Sequence, residues 1–350
     1  MNQLPSCLDR LRAEVIDAGR CVACGGCLGL CPHLIFYDGR VAAPDPCELI
    51  RGRCYDLCPQ APPPPAADLR RRLHQSLGNA YQPPLGPVQE AWQARAEDPR
   101  VREAAQYGGV VSTLAALALE SGLVGEAVLT RRGQRGAPEG CRVREPGEVL
   151  ACAGSLYAAA GTLGRLHQAL AQPEDHPLAL VGLPCQVTSA RLAHDHPDYP
   201  RARRLRLVIG LFCTWNLDAR GLRALLADHG VVEPVRKYDI PPPPAEVFLV
   251  EHAGGRLEIP LAEVRRYTLA GCARCPDMTA ELADVSVGAV EGRPGWNTLL
   301  VRTAAGAELV AEARRQGRLT LEPAEPAALE HLTQAARAKH QRAVQAGKEG

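Results

Sequence analysis

This chain of 350 residues carries almost no excess of charge: 40 basic residues face 39 acidic ones, a net of +1. A nucleic-acid binder ordinarily shows a clear basic excess, so that class is set aside. The chain also lacks any run of about 18 or more apolar residues, which argues against a spanning helix. Its first 20 residues lack the apolar core of an export signal. The expected setting is therefore a reducing one, the cytoplasm. Aromatics make up only 4% of the residues while Ala, Arg and Pro are abundant, which we read as a base-composition effect. The remaining bounds, 46% hydrophobic content over 350 residues, describe a soluble globular protein of about two domains.

Against these absences stand fourteen cysteines. In a reducing compartment they point to metal binding or redox chemistry rather than to a disulfide framework. Residues 21–32, CVACGGCLGLCP, place Cys21, Cys24, Cys27 and Cys31 before Pro32 in the C-x2-C-x2-C-x3-C-P spacing of bacterial ferredoxins. There, three thiolates hold one [4Fe-4S] cluster and the fourth ligates a second. A zinc knuckle is the bland alternative, and spacing this specific disfavours it. Gly25, Gly26 and Gly29 are small enough to let backbone amides approach the cluster sulfurs. Residues 47–59, CELIRGRCYDLCP, add Cys47, Cys54 and Cys58. By cross-ligation Cys58 joins Cys21, Cys24 and Cys27, while Cys31 joins Cys47 and Cys54. The second cluster is then one thiolate short, because Arg51 stands where a related motif carries cysteine. Three answers stay open: Cys7 as the ligand, a non-cysteine ligand, or a three-iron [3Fe-4S] cluster.

The stretch APPPPAADL at 61–69 reads as a semi-rigid spacer rather than a core, and more readily so than as a polyproline ligand at 62–65. It places a domain boundary between about 60 and 95. From Ala104 helices and strands alternate. Gly108-Gly109 opens an apolar helix that Gly122 caps, with Ser112 and Thr113 in its first turn, either a phosphate seat or a simple turn. Strands are expected at 127–130, 178–182 and 206–213. Cys185 and Cys213 fall at strand ends, where α/β proteins build sites. Cys272 and Cys275 form a C-x-x-C turn, and these four thiols together equal the ligand set of a further [4Fe-4S] cluster. Cys141 and Cys152 read as small core residues. Residues 325–348 read as a solvated helix whose Arg337, Lys339, Arg342 and Lys348 face solvent or an acidic partner.

The stretches GGVVSTLAALALESGLVGEAVLT, AGSLY, LPCQ followed by Arg191, GLFC with Asn216, RKYDI and GCARCPDMTAELADVSVGAVEGRPGWNTLLVRTAAG resemble the β subunits of coenzyme F420 reducing hydrogenases and related dehydrogenases. The similarity covers about residues 98–345, and residues 15–60 look like the ferredoxin addition that some members carry. The resemblance implies an α+β/α/β protein: a ferredoxin-like iron-sulfur domain at 1–62, a Pro-rich linker at 63–97, and a mixed α/β oxidoreductase domain at 98–350 that binds FAD and a [4Fe-4S] cluster and ends in a helix. It also implies roles. Cys185, Cys213, Cys272 and Cys275 hold a cluster beside FAD. Gly108, Gly109, Ser112 and Thr113 lie along the flavin, with Gly154, Ser155 and Tyr157 nearby, and Gly295, Trp296, Asn297, Thr298 and Arg302 close over it. No protein nucleophile or acid–base dyad is required.

The implied activity is electron transfer between about three clusters and FAD, and between FAD and a small hydride carrier such as F420. The partner is a hydrogenase- or formate dehydrogenase-type subunit, or a ferredoxin. Two departures bear on the carrier. Leu156 replaces a lysine common in the family, and prolines 241–244 replace a Gly- and Lys-containing turn; Arg191 and Lys237 remain as anion contacts. The alternatives are a ferredoxin-dependent reductase of an organic substrate, like the chlorophyll-pathway reductases, and an electron relay without flavin turnover.

Overall fold

A computed structural model of the chain describes residues 4–62, 68–72, 81–82, 84–133, 136–231, 234–241 and 245–348. Most of the proline run at 62–65 and of that at 241–244 lies outside the described residues.

The first 62 residues pack around their own small core. Ser6 starts the helix Cys7–Leu11 with a reciprocal cap: its hydroxyl accepts from the Asp9 amide at 3.1 Å, and the Asp9 carboxylate accepts from the Ser6 amide at 3.3 Å. An antiparallel hairpin of β1 (Ile35–Tyr37) and β2 (Arg40–Ala42) and the short helix Arg53–Asp56 complete the unit. Leu8, Leu11, Val15, Leu28 and Val41 fill its interior with Cys7 and Cys54, and Cys21, Cys27, Cys47 and Cys58 pack against them.

A short pair, β3 (Tyr81–Gln82) and β4 (Gly86–Pro87), precedes the main sheet. That sheet has eight strands: β5 (Glu90–Ala96), β6 (Glu126–Arg132), β7 (Pro138–Val143), β8 (Leu178–Gly182), β9 (Leu205–Leu211), and, after a separate antiparallel sheet of β10 (Lys237–Asp239), β11 (Val247–His252) and β12 (Gly255–Pro260), also β13 (Val285–Ala289), β14 (Asn297–Val301) and β15 (Leu319–Pro323). Its order is β15-β5-β14-β13-β9-β8-β6-β7. The neighbours β6, β8, β9 and β13 run parallel, and the strands outside them are antiparallel to their partners. Strand β8, LALVG, is buried at every position, as a central parallel strand covered on both faces must be. Its Leu178 and Leu180 join a core with Leu166 and Val187, while Ala179 and Val181 join the opposite one with Val110 and Leu114. The mixed α/β class expected from the sequence is what the chain adopts. No helix among the described residues is long and apolar enough to cross a membrane.

Two expectations need correction. The linker expected at 63–97 ends earlier, since β5 pairs with β14 on one side and β15 on the other. Its sequence, EAWQARA, contains no β-branched residue, so its strand character comes from pairing and not from propensity. The C-terminal helix Pro326–Lys348 is not solvated all round: Leu332, Ala336, Lys339 and Ala343 are buried. Gly25 and Gly29 also border the junction with the main body. Both have positive φ (83° and 72°), and a Cβ would come within 2.7 Å of the Gly161 carbonyl carbon and 2.9 Å of the Gly164 oxygen respectively.

That junction is well furnished. The His167 ring meets the Gly26 carbonyl oxygen at 3.1 Å, Ser189 donates to the Leu57 carbonyl at 2.8 Å, and Arg40 pairs with Asp218 at 2.6 Å. Burial holds the His167 imidazole down at about 4, so it is neutral there.

Candidate functional site

Cys185 lies in the first turn of the helix Pro184–Asp195, directly after β8, and Cys213 follows β9. Both are thus at the carboxyl ends of adjacent parallel strands, the place where open α/β sheets bind ligands. The turn Ala270–Arg274 brings Cys272 and Cys275 to the same point, and the Cys213 amide donates to the Met278 carbonyl at 2.8 Å, tying β9 to that turn. Burial, followed by the neighbouring thiols Cys24, Cys275, Cys213 and Cys272, pushes the Cys185 thiol well above its ordinary range. Burial likewise pushes Cys272 up to about 12, with Cys213 and Cys275 adding to it. These four thiols therefore form one group, with Cys24 of the N-terminal unit beside it.

The N-terminal thiols fall into two groups. Burial raises Cys27, and its neighbours Cys24, Cys58, Cys21 and Cys54 raise it further; Cys58 is pushed up to about 12 by burial, with Cys21 adding to it. The second group gathers around Cys54, whose sulfur is 3.7 Å from that of Cys7. Among the described residues no three His, Cys, Asp or Glu close on a point that would hold a single metal ion. A cluster differs in that its thiolates are spread over several irons.

The strand ends also border a cavity of about 790 Å³, within the range of cofactor sites. Cys213 belongs to its wall as well as to the thiol group. Gly109, Ser112, Gly154, Ser155, Tyr157 and Asn297 line it as well. Gly109 stands at φ 77° at the head of the helix Val110–Glu120, and the Asn297 amide nitrogen donates to the Gly288 carbonyl at 3.0 Å. Tyr157 has φ 54°, a conformation non-glycine residues rarely hold, and its hydroxyl accepts from the Ile240 amide. Leu156 faces the cavity, and Arg265 is the one cation among its described lining residues, beside the carboxylates of Glu246 and Glu291.

The other expected contacts lie outside this lining. Arg302 is fully buried and donates to Leu85 O, Pro87 O, Thr279 O and Ser286 Oγ, so every arm of its guanidinium is engaged, three bonds going to backbone carbonyls and one to a side-chain hydroxyl. Arg191 donates to Leu282 O and to Asp284, whose carboxylate also accepts from the Val208 amide. Both guanidiniums are thus engaged with partners inside the protein. Thr113 donates back to Gly109 O, and Gly108 packs against Asn297 and Ala94 O. Trp296 is stacked between Arg95 and Arg293, Thr298 is buried in β14, Gly295 turns with φ 77°, and Lys237 starts β10. Cys141 belongs to the main core, and Cys152 packs against that core while lining the cavity.

Residues 91–167 match the N-terminal model of the coenzyme F420 hydrogenase/dehydrogenase beta subunit, and residues 175–327 match the C-terminal model. Coenzyme F420 hydrogenase subunit beta of Methanothermobacter thermautotrophicus is 32% identical over 246 residues, 69% of this chain and 86% of that protein. The chain belongs to the coenzyme F420 hydrogenase/dehydrogenase beta subunit family. Within that family's range it is also 28% identical to the coenzyme F420-dependent sulfite reductase of Methanocaldococcus jannaschii, across 85% of this chain but only 46% of that longer protein. A chain of the F420-reducing [NiFe] hydrogenase complex from Methanosarcina barkeri has the same fold, with a TM-score of 0.71 and 26% identity over 77% of this chain and 94% of that one.

Sequence reasoning missed part of this cavity's lining. Ala328, Leu332 and Ala335 of the C-terminal helix close one side of the cavity, and Lys339 donates to the Cys213 carbonyl at 2.6 Å. The available signal was the apolar spacing of Leu329, Leu332 and Ala336. Gln106 and Tyr107 were missed as well. Both bond the Asp239 carboxylate, at 2.7 and 2.8 Å, and fix the cavity's rim to β10.

Proposed function

We propose that this chain is an iron-sulfur flavoprotein electron-transfer subunit, working within a hydrogenase- or formate dehydrogenase-like complex. The observation that carries the reading is Cys213, which belongs both to a group of four thiols and to the wall of a cofactor-sized cavity. FAD exchanges electrons in pairs with a hydride carrier whereas iron-sulfur clusters take them singly, so the two side by side convert one currency into the other.

The chain's own residues would divide the work. Cys185, Cys213, Cys272 and Cys275 would hold the cluster nearest the cavity, and Cys21, Cys24, Cys27 and Cys58 the next, since Cys24 neighbours Cys185. The head of the helix Val110–Glu120, with Gly109 at positive φ and Ser112 in the first turn, suits a phosphate, while the Val110 amide is held by the Asn297 side-chain oxygen at 3.4 Å. Gly154, Ser155 and Tyr157 would line the flavin, and the apolar wall excludes water from it. The exposed Leu49 and Ile50, in the loop between Cys47 and Cys54, support a partner subunit docking at the far end.

A second reading, reduction of an organic substrate with electrons from a ferredoxin, is favoured by the cavity's charge. With Leu156 in place of a lysine and Arg265 as its one described cation, the cavity offers little to an anionic carrier such as F420. Protein purified anaerobically should release FAD on denaturation and should reduce or oxidise one of three acceptors: F420, NAD(P), or a ferredoxin-linked organic substrate. Turnover of F420 selects the first reading, and turnover of the organic substrate alone selects the second. Iron-loaded protein without FAD overturns both.

A further inference from the structure

The N-terminal thiols leave one question about the chain's metal chemistry. Cys31, Cys47 and Cys54 supply three thiolates, and the position where a fourth would fall holds Arg51, an exposed cation unsuited to ligating iron. The helix Cys7–Leu11 brings another thiol to the same place. Its reciprocal cap fixes the first turn, and the Cys7 amide donates to the Leu49 carbonyl at 2.7 Å, pinning the helix to the 47–54 loop. The Cys7 and Cys54 sulfurs then stand 3.7 Å apart, both buried. Gly52 makes the room: a Cβ there would lie 2.6 Å from the Cys7 sulfur and 3.6 Å from that of Cys54.

We propose that Cys7 is the fourth thiolate of the outer N-terminal cluster, completing a [4Fe-4S] site with Cys31, Cys47 and Cys54. The proposal rests on the reading that the chain binds iron-sulfur clusters. It rules out a three-iron cluster and a non-cysteine ligand at this position. The thiol environment agrees with it. Burial raises Cys7, and besides Cys54 its sulfur feels Cys47 and Cys31, the other three members of the set. Cys54, pushed up to about 12 by burial, also neighbours Cys7 and Cys31. Ligands from the start of the chain and from residues 31–54 would also clip the two ends of the N-terminal unit together.

The test uses the full chain purified anaerobically, with iron and acid-labile sulfide per chain and EPR in the oxidised and reduced states. Wild type should hold about twelve irons and show no three-iron signal. Cys7→Ala should lose between about one and about four irons, with either a new oxidised-state three-iron signal or loss of one reduced-cluster signal. Flavin content and the remaining cluster signals should persist. Adding Arg51→Cys to Cys7→Ala should restore the iron and remove the three-iron signal. Unchanged iron and EPR in Cys7→Ala, or a three-iron signal in wild type, overturns the assignment of Cys7 alone. Iron-free wild type overturns both this assignment and the reading beneath it. Should Cys7→Ala fail to fold, the double variant decides. Recovery of folded, fully loaded protein supports the ligand role, and no recovery overturns it.

Discussion

Lys339 is a buried ammonium whose nearest groups are those of the proposed cavity-side cluster. Burial works against its charge, but Cys213, Cys275, Asp277 and Cys272 outweigh that and hold it above its ordinary range. A fixed positive charge beside a cluster stabilises the reduced form, which carries the extra electron. Lys339→Met should therefore lower the potential of that cluster, by on the order of tens of millivolts. Redox-poised EPR reads the shift, and a potential unchanged from wild type would show that the charge is fully screened. His167 makes a different kind of prediction. Its folded value of about 4 lies below the unfolded 6.5, because burial disfavours the charged ring. The unfolded state then binds the extra proton, so the stability it contributes is complete above about pH 6.5 and is lost as pH falls towards 4. By pH 5 the loss is about 2 kcal/mol. The thermal midpoint of wild type should drop more between pH 7.5 and 5 than that of His167→Gln, and equal drops would refute the assignment.

Among the elements, the C-terminal helix has two duties, since it closes the cavity through Leu332 and reaches the thiols through Lys339. Leu332→Asp would put an unpaired carboxylate into an apolar wall, at a cost of several kcal/mol. Flavin content should fall at least tenfold while the iron of the N-terminal groups persists, as measured by extraction and iron assay. Flavin content equal to wild type would remove the helix from the site. How legible such elements were depended on where their information lies. Strand β8 was read to the residue because burial on both faces forces an unbroken apolar run. The cysteine motifs were equally plain, since ligand spacing is local. Strand β5 was lost in the expected linker because its pairing partners, β14 and β15, lie some two hundred residues away and its own side chains do not favour a strand. A sequence equally does not show that four distant oxygens occupy the donors of Arg302. Lys339 looked solvated for the same reason. That Cys7 stands 3.7 Å from Cys54 was equally out of reach of a sequence that separates them by 47 residues.

At the scale of the whole molecule, the three thiol groups follow one another towards the cavity. Cys54 neighbours Cys27, Cys24 neighbours Cys185, and Cys213 is part of the cavity wall. The glycines of the first motif belong to this arrangement. With no side chain at Gly25 and Gly29, the N-terminal unit approaches the body closely enough for the second and third groups to adjoin. The central claim is that one chain joins three clusters to a flavin. An anaerobic reductive titration of the purified protein, followed by absorbance, tests it most directly. The account predicts uptake of about five electrons per chain, three at the clusters and two at the flavin, with bleaching of the flavin band. Uptake of about three electrons would contradict it: with flavin bleaching, it would remove the N-terminal clusters from the path, and without bleaching, it would remove the flavin.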